Sequence, residues 1–173
     1  GKVNLTDAGN NICIDTDVLI ENDTIRIYNM HLASVHLAKE NYEFIENINN
    51  QKTDEQIDGS KKIVSLLKEA FVKRSTQANI ISKHISQSPY RVVVCGDFND
   101  TPSSYAYKTI SQGLCDSFRE SGYGLGATYN GSVPFYRIDY ILHDKALGSS
   151  TFKTISKDLS DHYPVTSIIS FNE

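Results

Sequence analysis

The segment RVVVCGDFND, residues 91–100, limits what this chain can fold into more than any other stretch. Four apolar residues in succession, 92–95, predict a buried strand, because a half-exposed strand would alternate apolar and polar positions. Gly96 follows and lets the backbone turn. Asp97 and Asn99 come next, two positions apart, which favours side chains that share a face. The sequence therefore predicts a buried strand that carries two polar side chains at its end.

Strand signals also occur on both sides of this segment. Residues 12–20 and 24–32 flank the turn signal END and predict a hairpin whose second strand ends at His31. Three later segments also predict strands: 137–143, 151–155 and 163–171. Strands interleaved with helices and hairpins predict a mixed α/β domain, in which helices cover a sheet.

Apolar residues recur at helical spacing between the hairpin and residue 91. They predict a first helix over about 35–48 and a second over about 60–86, with a polar loop at 49–60. A short helix is expected after Thr101-Pro102, ending near Gly113. One stripe of the second helix is expected to pack in the core: Ile63, Leu66, Leu67, Ala70 and Phe71.

Charge and cysteine content exclude some classes of protein. A net charge of −4 and a pI near 5.7 give no basic surface of the kind that grips a nucleic-acid backbone. Basic residues gather over 61–74, but Glu69 interrupts them, and a solvated helix face is the favoured interpretation. That group consists of Lys61, Lys62, Lys68, Lys73 and Arg74. Three cysteines, Cys13, Cys95 and Cys115, follow no paired pattern, so no disulfide framework is expected.

The sequence leaves the location of the protein unassigned. No apolar stretch approaches the ~18 residues needed to span a bilayer, and no signal peptide opens the chain. The chain begins GKVNLTDAGNN, without an initiator methionine, which favours a piece of a longer protein whose anchor or targeting signal would lie upstream.

Four polar clusters stand where predicted strands end. Taken alone, each has an ordinary structural explanation: GDxN residues form turns with their own backbone, Asp139 would pair with Arg137 or a buried hydroxyl, and a single histidine is more often structural. The clusters are Asn29 with His31, Asp97 with Asn99, Asp139, and Asp161 with His162.

Together, these residue types suit the attack of water on a phosphate ester. An aspartate can abstract the proton of the water, and an asparagine can hold that water or an equatorial oxygen. Imidazoles can donate to phosphate oxygens as negative charge builds. A further carboxylate can orient an imidazole or hold Mg²⁺, which prefers oxygen ligands.

The ordered motifs NMHLAS, GDFND, RIDYIL and SDHYP, from residue 29 to residue 164, resemble those of the endonuclease/exonuclease/phosphatase superfamily of DNase I-like phosphoesterases. The resemblance implies a four-layer αββα sandwich, in which two facing sheets are flanked by helices. It also implies a role for each motif residue. Asp97 is the base that activates water, Asn99 positions water or phosphate, and His162 contacts the phosphate. Asp139 orients a catalytic histidine, which is either His162 or His31. His31 and Asn29 bind the substrate, and Asp161 is a metal ligand.

One expected part of the family pattern has no counterpart. The family's principal metal ligand is a glutamate that precedes the NMHL strand. None of the acidic residues before Asn29 has the neighbouring sequence that surrounds this glutamate in the family. Residues 1–173 are therefore expected to form the later part of a single domain, incomplete at its N-terminus and inactive alone. Loss of strands would expose apolar sheet surface, and a homodimer is expected to cover it.

The resemblance and the residues together predict a hydrolase of phosphoester bonds that depends on Mg²⁺, with Mn²⁺ as a substitute. The acidic chain favours a small phosphorylated molecule or a lipid head group over nucleic acid as substrate. Two alternatives stay open: a nuclease of the same family, and a non-catalytic scaffold that keeps the fold without the metal.

Overall fold

The computed structural model describes residues 1–5, 11–35, 54–131 and 136–172. Seven strands and three helices lie in these ranges. They are β1 (Ile12–Ile20), β2 (Asp23–His31), α1 (Asp54–Ser86), β3 (Arg91–Asp97), α2 (Tyr105–Ile110), β4 (Leu114–Asp116), α3 (Ser117–Ser121), β5 (Asp139–Asp144), β6 (Leu147–Thr154) and β7 (Val165–Phe171).

The strands form two sheets. The larger has five strands in the order β1-β2-β3-β5-β4, and β6 pairs with β7 in the smaller. Only β2 and β3 of the larger sheet run parallel, and all its other neighbours are antiparallel. A parallel pair needs a crossover connection, and α1 lies within the one that joins β2 to β3. The parallel pair brings the ends of β2 and β3 to the same edge of the sheet.

Both faces of the larger sheet are covered over β2, β3 and β5. One face carries Tyr28 and Val94 and packs against Ile81 of α1 and Ile110 of α2. Residues one position along the strands take the other face, because side chains alternate in a strand. These second-face residues pack against the smaller sheet: Ile25, Ile27, Val93 and Ile141 contact Leu147, Ile169 and Phe171. The mixed α/β fold with facing sheets and covering helices is therefore confirmed.

Several predicted boundaries hold and others do not. The predicted hairpin and the strand over residues 91–97 match β1, β2 and β3. The polar loop at 49–60 is wrong from residue 54 onward, where α1 has already begun. The predicted helix over 35–48 falls almost entirely outside the described residues.

The first half of α1 contributes less to the core than its apolar stripe predicts. Ala70 is buried, but the Phe71 side chain is 50% exposed, so its expected core position is wrong for the described structure. Arg74 corrects the sequence prediction in the opposite direction. Its side chain is 2% exposed; Nε donates to Asp100 Oδ2 at 2.9 Å and a terminal nitrogen donates to the Ala33 carbonyl at 2.8 Å. Arg74 is therefore a buried structural residue that joins α1 to the segment after β2.

Apolar side chains on β1 remain exposed on the second face of the sheet. Ile12 and Ile14 pair with His31 and Asn29, and they are 43% and 38% exposed. This agrees with the expected apolar sheet surface; the homodimer that would cover it stays a prediction. All three cysteines are free, as expected. Among the described helices, none has the length and apolar character to cross a bilayer.

Candidate active site

The turn after β3 explains why glycine and two polar residues follow the apolar run. Gly96 has φ +136°, and a Cβ there would collide with the backbone of Met30 on β2. Asn99 adopts a left-handed φ of +51°, which asparagine tolerates better than most residues. Its backbone N–H donates to Asp97 Oδ1 at 2.7 Å. The turn-forming interpretation of Asp97 and Asn99 is therefore confirmed, and the same turn holds the carboxylate in a fixed position.

Three predicted site residues lie in one row across three adjacent strands. His31 pairs with Asp97 in the β2–β3 register, and Asp97 pairs with Asp139 in the β3–β5 register. Residues in the same register position point to the same face, so these side chains lie side by side. His31 Nε2 is 3.5 Å from Asp97 Oδ2. The row stands at the end of β2, the end of β3 and the start of β5.

His162 reaches this row from the segment between β6 and β7. The segment pairs with residues 128–130 in a strand-like manner: Asn130 N donates to the Asp161 carbonyl at 2.8 Å, and Tyr163 N donates to the Thr128 carbonyl at 2.7 Å. The Tyr129 ring packs edge-on against the His162 ring, with centroids 5.4 Å apart. The backbone and an aromatic neighbour therefore both fix the position of the imidazole.

The His162 ring bridges two carboxylates. Nδ1 donates to Asp139 Oδ2 at 2.8 Å, and Nε2 lies 4.0 Å from Asp97 Oδ2. Of the two histidines that Asp139 was expected to orient, the structure selects His162. The alternative pairing of Asp139 with Arg137 is wrong, because Arg137 binds Asp116 at 2.8 Å.

The electrostatics of the site follow from two carboxylates that share a half-buried space. Burial, reinforced by the negative charge of Asp139, raises the pKa of Asp97 to about 6. The Asn99 N–H and the two imidazoles oppose this rise. The pKa of His162 is raised, chiefly by its hydrogen bond to Asp139. The site therefore favours the protonated form of His162 and disfavours the ionised form of Asp97.

Three further predicted residues are placed less centrally. The Asn99 carboxamide nitrogen donates to Asp97 Oδ2 at 2.8 Å and to the Leu32 carbonyl at 3.0 Å, so Asn99 belongs to the site. Asn29 is an exposed residue two positions before His31 on β2. Asp161 is exposed beside His162, and its carboxylate does not join the Asp97, Asp139 and His162 group, whose ligand atoms lie within 4.8 Å of one another. Its role as a metal ligand stays a prediction.

One residue that supports the site has no recognisable signal in the sequence. Thr128 is fully buried, and its hydroxyl accepts from the backbone N–H groups of Ile138 and Asp139, both at 3.0 Å. It therefore fixes the start of β5, where Asp139 begins the strand. Nothing in the loop GYGLGATYNGS marks Thr128, because its partners lie ten and eleven residues further along the chain.

The region that contains most of these site residues matches a known protein family. Residues 79–162 match the family model described as Endonuclease/Exonuclease/phosphatase family. This part of the chain therefore carries the sequence pattern of the family. The matched region includes Asp97, Asn99, Asp139, Asp161 and His162, while Asn29 and His31 precede it. Comparison with curated protein sequences gives no significant match.

Solved structures of the endonuclease/exonuclease/phosphatase family share the fold at low sequence identity. A family protein from Bacteroides thetaiotaomicron matches with a TM-score of 0.64 and 17% identity, over 94% of this chain and 55% of that one. The catalytic domain of human Nocturnin with bound sulfate matches with a TM-score of 0.62 and 19% identity, over 95% and 54%. A mannosyl-6-phosphatase from B. thetaiotaomicron matches with a TM-score of 0.59 and 18% identity, over 93% of this chain and 57% of that one. The chain thus spans about half the length of these structures.

Endonuclease/exonuclease/phosphatase proteins generally depend on a divalent metal, and the donor set here fits one in part. Asp97, Asp139 and His162 bring two carboxylates and an imidazole within 4.8 Å of one another. Burial is the main cause of the raised pKa of Asp97, and repulsion from the neighbouring Asp139 carboxylate adds to it. A cation between the two carboxylates would relieve that repulsion. Carboxylate oxygens are the ligands that Mg²⁺ prefers.

Proposed function

We propose that this chain carries the water-activating part of a Mg²⁺-dependent phosphoesterase. The enzyme would hydrolyse a phosphomonoester or phosphodiester by in-line attack of water. The observation that carries the proposal is the His162 imidazole, held by Asp139 at 2.8 Å and facing the Asp97 carboxylate at 4.0 Å. A base, a phosphate-contacting imidazole and the residue that orients it therefore occupy one site.

Asp97 is the proposed general base. A carboxylate with a pKa of about 6 accepts a proton more readily than an ordinary aspartate, yet it is mostly ionised at neutral pH. Its two oxygens are held by the backbone and side-chain nitrogens of Asn99, so the carboxylate is oriented before the substrate arrives. Both hydrogen bonds of the Asn99 side chain use its nitrogen, and its oxygen is the atom that it offers to the attacking water.

His162 is the proposed contact to the phosphate. Because Nδ1 donates to Asp139, the Nε2–H of the imidazolium points to the other side of the ring, toward Asp97. There it can donate to a phosphoryl oxygen as negative charge develops in the transition state. Asp139 keeps the ring protonated and oriented, so it is a positioning residue. His31 and Asn29 lie on the same face and are proposed to bind the substrate.

A Mg²⁺ ion, when bound, would neutralise negative charge on the phosphate and on the paired carboxylates. Asp139 and Asp161 are the residues proposed to hold it, because Asp97 is assigned to the proton transfer. The chain's own residues would still supply the base, the imidazolium and the orientation of both.

A small phosphorylated molecule or a lipid head group is the favoured substrate. A net charge of −4 works against tight binding of a polyanionic duplex, which needs many basic contacts. One similar structure is a mannosyl-6-phosphatase, which is consistent with a small phosphorylated substrate without specifying it. A nuclease is the second candidate, and a non-catalytic scaffold is the third.

The test uses the whole protein that contains residues 1–173. Mg²⁺-dependent hydrolysis is measured with bis-p-nitrophenyl phosphate, inositol phosphates, sphingomyelin and plasmid DNA. We expect hydrolysis that is lost in Asp97→Ala and His162→Ala and kept in Asp23→Asn, which changes an exposed carboxylate on the first residue of β2. Activity on plasmid DNA alone would replace the favoured substrate with the nuclease. Failure to hydrolyse any phosphoester would support the scaffold instead.

A further inference from the structure

A second group of metal-ligating side chains lies at the far edge of the larger sheet. Cys115 of β4, Glu120 of α3 and His143 of β5 each bring one ligand atom to a common point, with all three atoms within 4.8 Å of one another. His143 lies four positions along β5 from Asp139, so this group is separate from the candidate active site. The proposed phosphoesterase chemistry uses none of the three residues.

Both ring nitrogens of His143 face oxygen atoms. The ring is fully buried, and Nδ1 donates to the Asp144 backbone carbonyl at 2.9 Å. The second nitrogen of a metal-bound histidine commonly makes this kind of bond. With its proton on Nδ1, a neutral imidazole presents a lone pair at Nε2, only 3.0 Å from Glu120 Oε2. Two acceptor atoms at that distance need a proton or a metal ion to hold them together.

The other two residues are positioned around the same point. Glu120 Oε2 also accepts from the Ser149 backbone N–H at 3.2 Å, which anchors the carboxylate to β6. Cys115 pairs directly with His143 in the β4–β5 ladder, so both side chains project from the same face of the sheet. Burial raises the pKa of the Cys115 thiol, and the neighbouring Glu120 adds to the rise. Without a metal the sulfur therefore keeps its proton at neutral pH.

We propose that Cys115, Glu120 and His143 bind a zinc ion, with water completing four ligands. A thiolate together with an imidazole selects zinc and related metals over Mg²⁺ and Ca²⁺, which prefer oxygen. On binding, the Cys115 thiol loses its proton to solvent, and any proton between His143 and Glu120 is also released. The ion would tie α3 to β4 and β5 and, through the Glu120–Ser149 contact, to β6.

Cobalt is the probe for this site, because a thiolate bound to Co²⁺ absorbs in the near ultraviolet. The whole protein that contains residues 1–173 is reduced, freed of metal with a chelator and titrated with Co²⁺, and Zn²⁺ is then added to displace it. We expect a sulfur-to-cobalt absorption band that disappears on addition of Zn²⁺. Cobalt bound at Asp97, Asp139 and His162 gives no such band, since that site contains no sulfur.

Substitutions identify the ligands without disturbing the buried histidine. Cys115→Ser should abolish the band, Glu120→Gln should weaken zinc binding by at least about tenfold, and Cys95→Ser serves as the matched cysteine control. Zinc should also raise the Tm of the wild type and of Cys95→Ser, but not that of Cys115→Ser. The proposal is overturned if the wild type gives no band, or if the band survives in Cys115→Ser. If zinc leaves the Tm unchanged and no band forms, the three residues bind no metal, and a proton joins Glu120 to His143 instead.

Discussion

Charged side chains are arranged in opposite ways in two regions of this molecule. In the core, each buried arginine has its own carboxylate, as Arg137 has in Asp116 at 2.8 Å. At the strand ends, Asp97 and Asp139 instead share their space with the imidazoles of His31 and His162. The first arrangement balances each charge locally, whereas the second brings two carboxylates together.

The balanced pairs also have their remaining hydrogen bonds filled. Asp116 accepts from the Tyr107 hydroxyl at 2.7 Å and from the Phe118 backbone N–H at 3.0 Å. The Arg137 guanidinium lies over the Phe118 and Tyr140 rings. Such pairs hold elements together and leave little capacity for a ligand. At the strand ends, Asp97 accepts from Asn99 and Asp139 accepts from His162. These two carboxylates also lie side by side on one face, which is what a site for water, phosphate and metal requires.

Asp97→Asn should have the largest effect and should change activity and stability in opposite directions. If Asp97 is the general base, kcat/KM falls by about 10³-fold. The folded-state pKa of about 6 lies above the ordinary 3.8, so the ionised carboxylate disfavours folding at higher pH. The variant should therefore gain about 1–2 kcal/mol of unfolding free energy at pH 7.5 without added metal. Urea unfolding at pH 7.5 and pH 4 measures this gain.

The pH dependence separates this cause from an unrelated gain in stability. The advantage of Asp97→Asn should shrink as pH falls from about 6 toward 3.8, because the wild-type carboxyl then becomes protonated as well. An equal gain at both pH values, or a loss of stability at pH 7.5, would contradict the comparison between the two regions.

Asp116→Asn should show the opposite pattern. It leaves the Arg137 guanidinium buried without its carboxylate and should remove about 3 kcal/mol of unfolding free energy. The matched control is Asp23→Asn, whose partner Arg91 is exposed and whose loss should remain below about 1 kcal/mol. The specific activity of the folded Asp116→Asn protein should be unchanged. If the loss of unfolding free energy is no larger than that of Asp23→Asn, the buried Arg137–Asp116 pair stabilises the fold no more than an exposed pair does.

The sequence predicted the row of site residues because each is marked locally. His31, Asp97 and Asp139 stand at recognisable strand ends, and adjacent strands bring such ends together. The partner of Asp139 could not be predicted, since it depends on how residues 128–130 hold the segment around His162. The burial of Arg74 could not be predicted for a similar reason. A run of basic residues indicates a solvated face, but the partner Asp100 lies 26 residues away in sequence.

Two elements, β4 and α3, could not be predicted because they are short. β4 has three residues and α3 has five, too few to produce a period that can be distinguished from chance. They nevertheless carry Cys115 and Glu120, so the proposed zinc site was also invisible in the sequence. Its three ligands come from separate elements at irregular spacing and form no CxxC-type motif.

Asp139→Asn should reduce activity with little change in stability. The imidazole of His162 would lose its charged partner, and kcat should fall on the order of 10- to 100-fold if His162 contacts the phosphate. The unfolding free energy should change by less than about 1 kcal/mol, because the pair is partly exposed to solvent. Steady-state kinetics with bis-p-nitrophenyl phosphate measures kcat and KM separately. A rise in KM with kcat unchanged would assign Asp139 to substrate binding rather than to positioning His162.

The smallest expected effect is on the protonation of His162 itself, and it is measured without substrate or metal. NMR titration of the His162 ring protons in the presence of chelator should give a pKa above the ordinary 6.5, chiefly because of the bond to Asp139. A raised folded-state pKa means that the pair stabilises the fold fully below pH 6.5 and loses this contribution as pH rises through the folded-state value. Asp139→Asn should lower the His162 pKa, and its stability should approach that of the wild type at alkaline pH. Asp158→Asn, which removes an exposed carboxylate bonded to Asn130, controls for net charge alone. If both variants lower the pKa equally, the general negative field governs His162, and the strand-end site would be held together less specifically than the arginine pairs of the core.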